Sequence, residues 1–383
     1  MPLLRMPFPS LTSLDLVFGD PSIFQVYLES FPKSPENIQR LSMRVRQLGD
    51  TFLQIGPTHI CHWQDLQTVV FPQINLGVDA FTHLSRMPTL TRLAFKLTAT
   101  LPSSDSPLLF SNLHDLALHS GSLDPVSRLL FWMQLPAFTA FSVVTSSRPS
   151  KKELFSFMTS VGTSGAGRTI KSLTLDQPSP SIRKVRDQEA LSLDLEDLRP
   201  CMAFSHLRHI KLNIEWNVDL TDRDLLELTS AWPHLEHLVI NTYSGWNSQS
   251  GITPNALLEL LQTCPSLRWI ALAMDTQGYT RPPPSGSKAS LELRLPPALS
   301  IDVLDSVVEA ESVQPVADFF AAIVPCSKFT FSAWRGGKMV KREGWEAYKV
   351  RWDNVFRLAN RRSAFLSHHM VCTTFTSRKT FWS

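Results

Sequence analysis

Three apolar residues at relative positions 1, 4 and 6 return along almost the whole chain. The spacing opens at Leu11-Leu14-Leu16 and recurs at Ile38-Leu41-Met43, Leu66-Val69-Phe71, Leu90-Leu93-Phe95, Leu113-Leu116-Leu118 and Phe138-Phe141-Val143. It continues at Ile170-Leu173-Leu175, Leu207-Ile210-Leu212, Leu235-Leu238-Ile240 and Leu267-Ile270-Leu272, with weaker copies at Ala298-Ile301-Val303 and Cys326-Phe329-Phe331. Apolar side chains two residues apart share one face of a strand, so each copy predicts a short strand with positions 1, 4 and 6 towards the core. The copies between Leu11 and Cys326 have a mean step of about 29 residues, a period that signals a stack of structural repeats.

The stretches between the copies change period. Pro125 to Leu135, Asp222 to Trp232, Pro254 to Cys264 and Pro315 to Val324 read as amphipathic helices. Several end at a proline just ahead of the next strand, as in Met87-Pro88-Thr89-Leu90, Leu135-Pro136-Ala137-Phe138, Trp232-Pro233-His234-Leu235 and Cys264-Pro265-Ser266-Leu267. Proline has no N–H for the helix ladder and pushes its predecessor out of the α region, so it separates one element from the next. A lone strand-helix unit cannot bury its apolar face, so the units must stack.

The expected fold is therefore α/β: a leucine-rich-repeat solenoid, or horseshoe, of about 11 or 12 irregular strand-helix repeats, with a parallel sheet on the concave face. The chain resembles the leucine-rich-repeat part of the F-box proteins expanded in mushroom-forming fungi. That resemblance implies a protein-interaction module, the substrate-recognition part of a ubiquitin-ligase receptor. Its F-box, a helical module ahead of the repeats, has no counterpart before Leu11. Contact with a Skp adaptor and a cullin is therefore expected only if an F-box lies upstream. The runner-up is a stand-alone leucine-rich-repeat scaffold unrelated to ubiquitin. Position 9 of such repeats carries Asn or Cys in the family, whereas here it holds Gly19, Arg46, Ile74, Thr98, Gly121, Ser146 and Pro178, which predicts irregular loops.

Composition narrows the partners. The 37 Lys and Arg against 34 Asp and Glu leave a net charge of +3, too balanced for a dedicated nucleic-acid binder. Hydrophobic residues make up 43%, enough for a core, and no segment is long and apolar enough to predict a membrane span. Five widely spaced cysteines spell neither a disulfide framework nor a zinc site, which fits a reducing compartment, cytoplasmic or nuclear. Lys328 to Ser383 carries 12 Lys and Arg and 3 Asp and Glu. Its first part, through Trp352, Val355, Phe356 and Leu358, predicts a capping helix that closes a folded array over 1–360; residues 361–383 read as a basic, disordered tail.

Gly162-Thr163-Ser164-Gly165-Ala166-Gly167-Arg168-Thr169 fits a phosphate-binding loop if Arg168 replaces its lysine, but a helical pattern precedes it and a strand follows, the reverse of the required order. His59, Cys61 and His62 lack a second ligand pair. Glu196-Asp197 and Asp302/Asp305 read as solvated faces rather than catalytic carboxylates. No nucleophile elbow or metalloprotease helix occurs, so no cofactor, metal or catalytic residue is assigned and an enzyme is not expected. The remaining constellation is the outward face of the strands, positions 3, 5 and 7, which places Arg40, Arg44, Arg92, Lys96, His119, His209, Lys211, His237 and Trp269 in columns, with Asn213, Asn241 and Ala273 closing their rows. A mostly basic strip with an exposed aromatic suits an acidic or phosphorylated protein segment.

Overall fold

The computed structural model describes residues 11–29, 37–46, 54–55, 60–61, 63–98, 107–178, 191–280, 298–323, 329–334 and 344–376. The fold is α/β with extensive parallel sheet. The chain divides into two compact units, Met1–Arg183 with Pro200–Leu207, and Lys184–Arg199 with Arg208–Ser383.

Besides the two-residue strands Gln54–Ile55, Leu108–Leu109 and Met133–Gln134, the described residues of the first unit form seven parallel strands: β1 (Ser13–Phe18), β2 (Arg40–Val45), β3 (Thr68–Leu76), β4 (Arg92–Leu97), β5 (Asp115–Ser120), β6 (Ala140–Thr145) and β7 (Ser172–Asp176). Each pairs with the next in chain order. The second unit repeats the arrangement with β8 (His209–Asn213), β9 (His237–Ile240), β10 (Trp269–Ala271), β11 (Leu299–Asp302) and β12 (Phe329–Ser332). Apolar positions 4 and 6 pack inward as their spacing predicts. Leu93, Leu116, Leu118, Val143, Leu173 and Leu212 are completely buried. β1 differs: Leu14 and Leu16 are only half-buried where Leu41 and Met43 of β2 are buried, since β1 ends the ladder.

The four helices read from periodicity are present as Asp124–Trp132, Asp222–Ser230, Pro254–Thr263 and Val313–Ile323. The proline between helix and strand does more than stop the helix. In each of the four segments the residue two beyond proline donates its N–H to the carbonyl of the residue before it: Leu90 to Met87, Phe138 to Leu135, Leu235 to Trp232 and Leu267 to Cys264. Proline thus holds the second position of a β-turn, where its fixed φ is already correct. The two amides at the start of the next strand then share one carbonyl of the preceding repeat. Thr91 and Arg92 donate to Gln67, His114 and Asp115 to Thr91, Thr139 and Ala140 to His114, and Arg268 and Trp269 to Glu236. Helix starts are fixed by capping boxes at Ser150/Glu153 and Thr221/Asp224, each satisfying two amides that the helix leaves over.

Three expectations need correction. The last weak copy was set two residues out of step: Ile270 aligns with Ile301, and Ile301 with Phe331 rather than Phe329. At Ala298-Ile301-Val303, Ala298 is exposed and Leu299 takes the inward place, because side chains alternate within the strand. The final helix, Trp345–Thr376, runs past residue 360, where an irregular tail was expected; residues 361–376 contain no Gly or Pro to stop it. Its first turns close the second unit. Trp352 and Val355 are fully buried, Phe356 stacks on Phe331 with ring centres 4.9 Å apart, and the indoles of Trp352 and Trp334 both donate to the Ser306 carbonyl.

Candidate partner-binding face

The nine candidate residues fall on the outward face of the strands as two separate groups, one in each unit. In the first, Arg40 and Arg44 stand exposed on β2. Arg92 is not free: its Nε lies 3.1 Å from Asp115 Oδ2 on the neighbouring strand, directly opposite in register. Burial nevertheless holds the Asp115 carboxyl above its ordinary range, outweighing the Arg92 charge. Lys96 and His119 face each other across β4 and β5. Burial, and then the Lys96 charge, push the His119 imidazole below its usual pKa, so it is neutral at pH 7. Lys96 makes no ion pair among the described residues. Both side chains line a groove of about 580 Å³ at the carboxyl ends of β4, β5 and β6.

In the second unit three rings form a row, because His209, His237 and Trp269 are opposite one another in register. The His209 and His237 rings meet at 4.5 Å and 73°, and those of His237 and Trp269 at 5.9 Å and 68°, the edge-to-face geometry that ring quadrupoles favour. Trp269 keeps 41% of its surface exposed. The His237 imidazole is held below its ordinary pKa chiefly by burial, then by His209; Glu236 opposes this and Arg268 adds to it. Glu236 accepts from Arg208 Nη1 at 3.0 Å and lies 3.6 Å from His209 Nε2. Lys211 places its ammonium 5.4 Å from the centre of the Tyr243 ring. The strip is therefore less basic than its residue types imply. Arg92 is ion-paired, His119 and His237 are neutral at pH 7, and among the described residues Arg40, Arg44 and Lys96 keep a positive charge that no ion pair neutralises.

The row-closing positions are corrected as well. Asn213, Asn241 and Ala273 were expected to point outward, but all are buried. Asn241 leaves β9 with φ of 57°, in the left-handed region that asparagine tolerates, and its amide accepts from Ile214 N and donates to the Trp216 carbonyl, both at 2.9 Å. Asn213 Oδ1 accepts from the N–H and hydroxyl of Thr242. These two asparagines bond the loop backbone, a task the sequence pattern assigned to position 9, where no asparagine stood.

The discarded motifs resolve into structural roles. Helix Lys151–Thr163 contains Gly162, a short 3-10 turn spans Ala166–Arg168, and β7 follows, so the glycine-rich segment joins helix to strand. A Cβ at Gly167 would lie 2.8 Å from the Gly162 carbonyl oxygen, which accounts for a glycine there without any ligand. Asp197 and Asp305 are buried rather than solvated, because each satisfies backbone amides: Asp197 closes a capping box with Asp194, and Asp305 accepts from Trp246 N and Asn247 N. Asp302 Oδ1 accepts from Leu304 N, and Glu196 pairs with Arg199. Cys201 and Cys264 are buried thiols pushed up to about 12 and about 11, which makes them poor nucleophiles. Cys61 is half-buried, while His59 and His62 lie outside the described residues. No helix among the described residues is long and apolar enough to cross a membrane. Tyr243, and the groove-lining Ser120 and Thr145, were missed, since nothing in their residue types or spacing marks them; Val144 was missed although it stands at position 7, in the column of Lys96 and His119. No family model matches the chain, and no curated protein is found to be similar to it.

Proposed function

We propose that the chain is a leucine-rich-repeat protein whose outward sheet face binds a partner protein, and that it acts through binding rather than catalysis. The observation that carries this reading is the register. Within each unit the strands follow chain order, so residues of matching repeat position form continuous rows such as His209, His237 and Trp269. Such rows present a broad face in which aromatic anchors and charges are spaced by the strand separation, a geometry suited to a protein surface. The recurrent proline turn and the loop-bonding asparagines support the repeat reading. By resemblance, the bound protein would be a substrate delivered for ubiquitylation, with a Skp adaptor and cullin joining only through an F-box. A stand-alone scaffold is the alternative.

Affinity capture from cell extract tests the function. Partners retained by the native chain and lost with Trp269→Ala or Lys96→Glu support the face; an unchanged set from a folded variant pair removes it. Co-capture of a Skp adaptor separates the receptor reading from the scaffold. The glycine-rich loop predicts no ATP or GTP turnover, and hydrolysis abolished by Arg168→Ala would overturn that.

A further inference from the structure

The geometry points to the groove of the first unit as a pocket for one carboxylate side chain, Asp or Glu, of an extended partner peptide; this rests on the reading of the sheet face as a partner-binding surface. The groove holds about 580 Å³, within the range of pockets that bind small molecules or a few peptide residues. Its walls are apolar, formed by Pro72, Leu97, Pro125 and Val144. At one end stands Lys96, with no ion pair among the described residues to neutralise it. His119, opposite Lys96 in register, adds a ring nitrogen that can donate without adding charge. Ser120 Oγ and Thr145 Oγ1, on two of the lining residues, are enclosed and have no hydrogen-bond partner among the described residues.

The charge layout selects the occupant. Lys96, His119, Val144 and Asp176 form one row across β4 to β7, with the cation at one end and the carboxylate two strands beyond His119. A single acid at the Lys96 end followed by apolar residues matches the apolar side chains of Pro72, Leu97, Pro125 and Val144. One uncommitted ammonium matches the single charge of a carboxylate. A phosphate carries nearly two charges and is typically held by an arginine cluster. Arg92, the nearest arginine on β4, is already committed to Asp115.

Random short peptides displayed on phage and panned against the full chain test this. Enriched sequences should share one Asp or Glu flanked by apolar residues. Synthetic peptides from that pool, with capped ends, then enter a double-mutant cycle against Lys96→Met, which keeps the aliphatic stem. Acid-to-amide replacement in the peptide and Lys96→Met should each weaken binding about tenfold or more, and together cost little beyond either alone. Thermal unfolding of Lys96→Met is run beside it, and Lys96→Gln serves in its place if Met perturbs folding. A phosphoserine peptide should bind no tighter than its glutamate counterpart; a gain of tenfold or more overturns the carboxylate assignment. Enriched peptides without an acid, or a cycle without coupling, overturn the pocket while leaving the sheet face as a binding surface. Failure to enrich any peptide, combined with unchanged partner capture by the Trp269→Ala chain, overturns both.

Discussion

Asn241 shows how much one residue can carry when it sits between repeats. It leaves β9 in the left-handed region, and its side chain bonds two backbone groups of the preceding loop from a fully buried position. Asn241→Ala should lower stability by about 2–3 kcal/mol in urea unfolding, since it strands a buried amide and carbonyl and strains the backbone. Asn241→Gly removes the strain but not the loss of bonds, so it should recover only part. The two depressed imidazoles make a separate prediction. His119 and His237, held below the ordinary value of 6.5 when folded, bind fewer protons than in the unfolded chain once pH drops below 6.5. Their contribution is therefore complete above that pH and is lost as pH falls toward the lowered folded values. The melting temperature should decline as pH falls below 6.5, and the double variant His119→Gln, His237→Gln should flatten that slope. An unchanged slope would mean that these rings do not titrate with folding.

At the scale of elements, ends and closures decide stability. The helix Asp222–Ser230 depends at its start on the Thr221 hydroxyl, which accepts from Asp224 N while the Asp224 carboxylate bonds back to Thr221. Thr221→Ala should cost about 1 kcal/mol. A larger loss awaits the closing helix. Trp352 is fully buried, packs on Phe320 and Phe356, and donates to the Ser306 carbonyl. Trp352→Ala should cost about 3–5 kcal/mol, read as an earlier unfolding transition of the second unit. Trp352→Phe should recover most of the packing and isolate the indole hydrogen bond. Helices of this kind are legible from sequence because their caps and breakers are local. The step of the last strand is not, since Phe329 and Phe331 are both apolar and only pairing with β11 decides which of them lies opposite Ile301.

For the whole molecule, the consequential matter is where charge remains uncommitted. Arg44→Glu with Lys96→Glu should reduce capture of any acidic partner, and native capture should weaken as salt rises, because exposed charges are screened. Arg92→Glu is expected to act mainly on stability, through repulsion of Asp115. Binding that survives both the Arg44/Lys96 reversal and high salt would shift the partner to the aromatic row of the second unit.

The amino-acid sequence by itself determined the repeat period, the core positions of the repeats from Ile38 to Leu272, the strand-helix alternation and the stops of the helices that end at proline. All of these follow from short-range rules: alternation in strands, the 3.6-residue turn of helices and the missing N–H of proline. Tertiary structure decided what each outward side chain meets. Arg92 loses its freedom to an aspartate 23 positions away, Asn213 and Asn241 turn inward to bond loop backbone, and Ser120 and Thr145 line a groove beside Lys96. Which charge is neutralised, and which polar group is buried, depends on residues brought side by side by stacking, and spacing along the chain does not encode that juxtaposition.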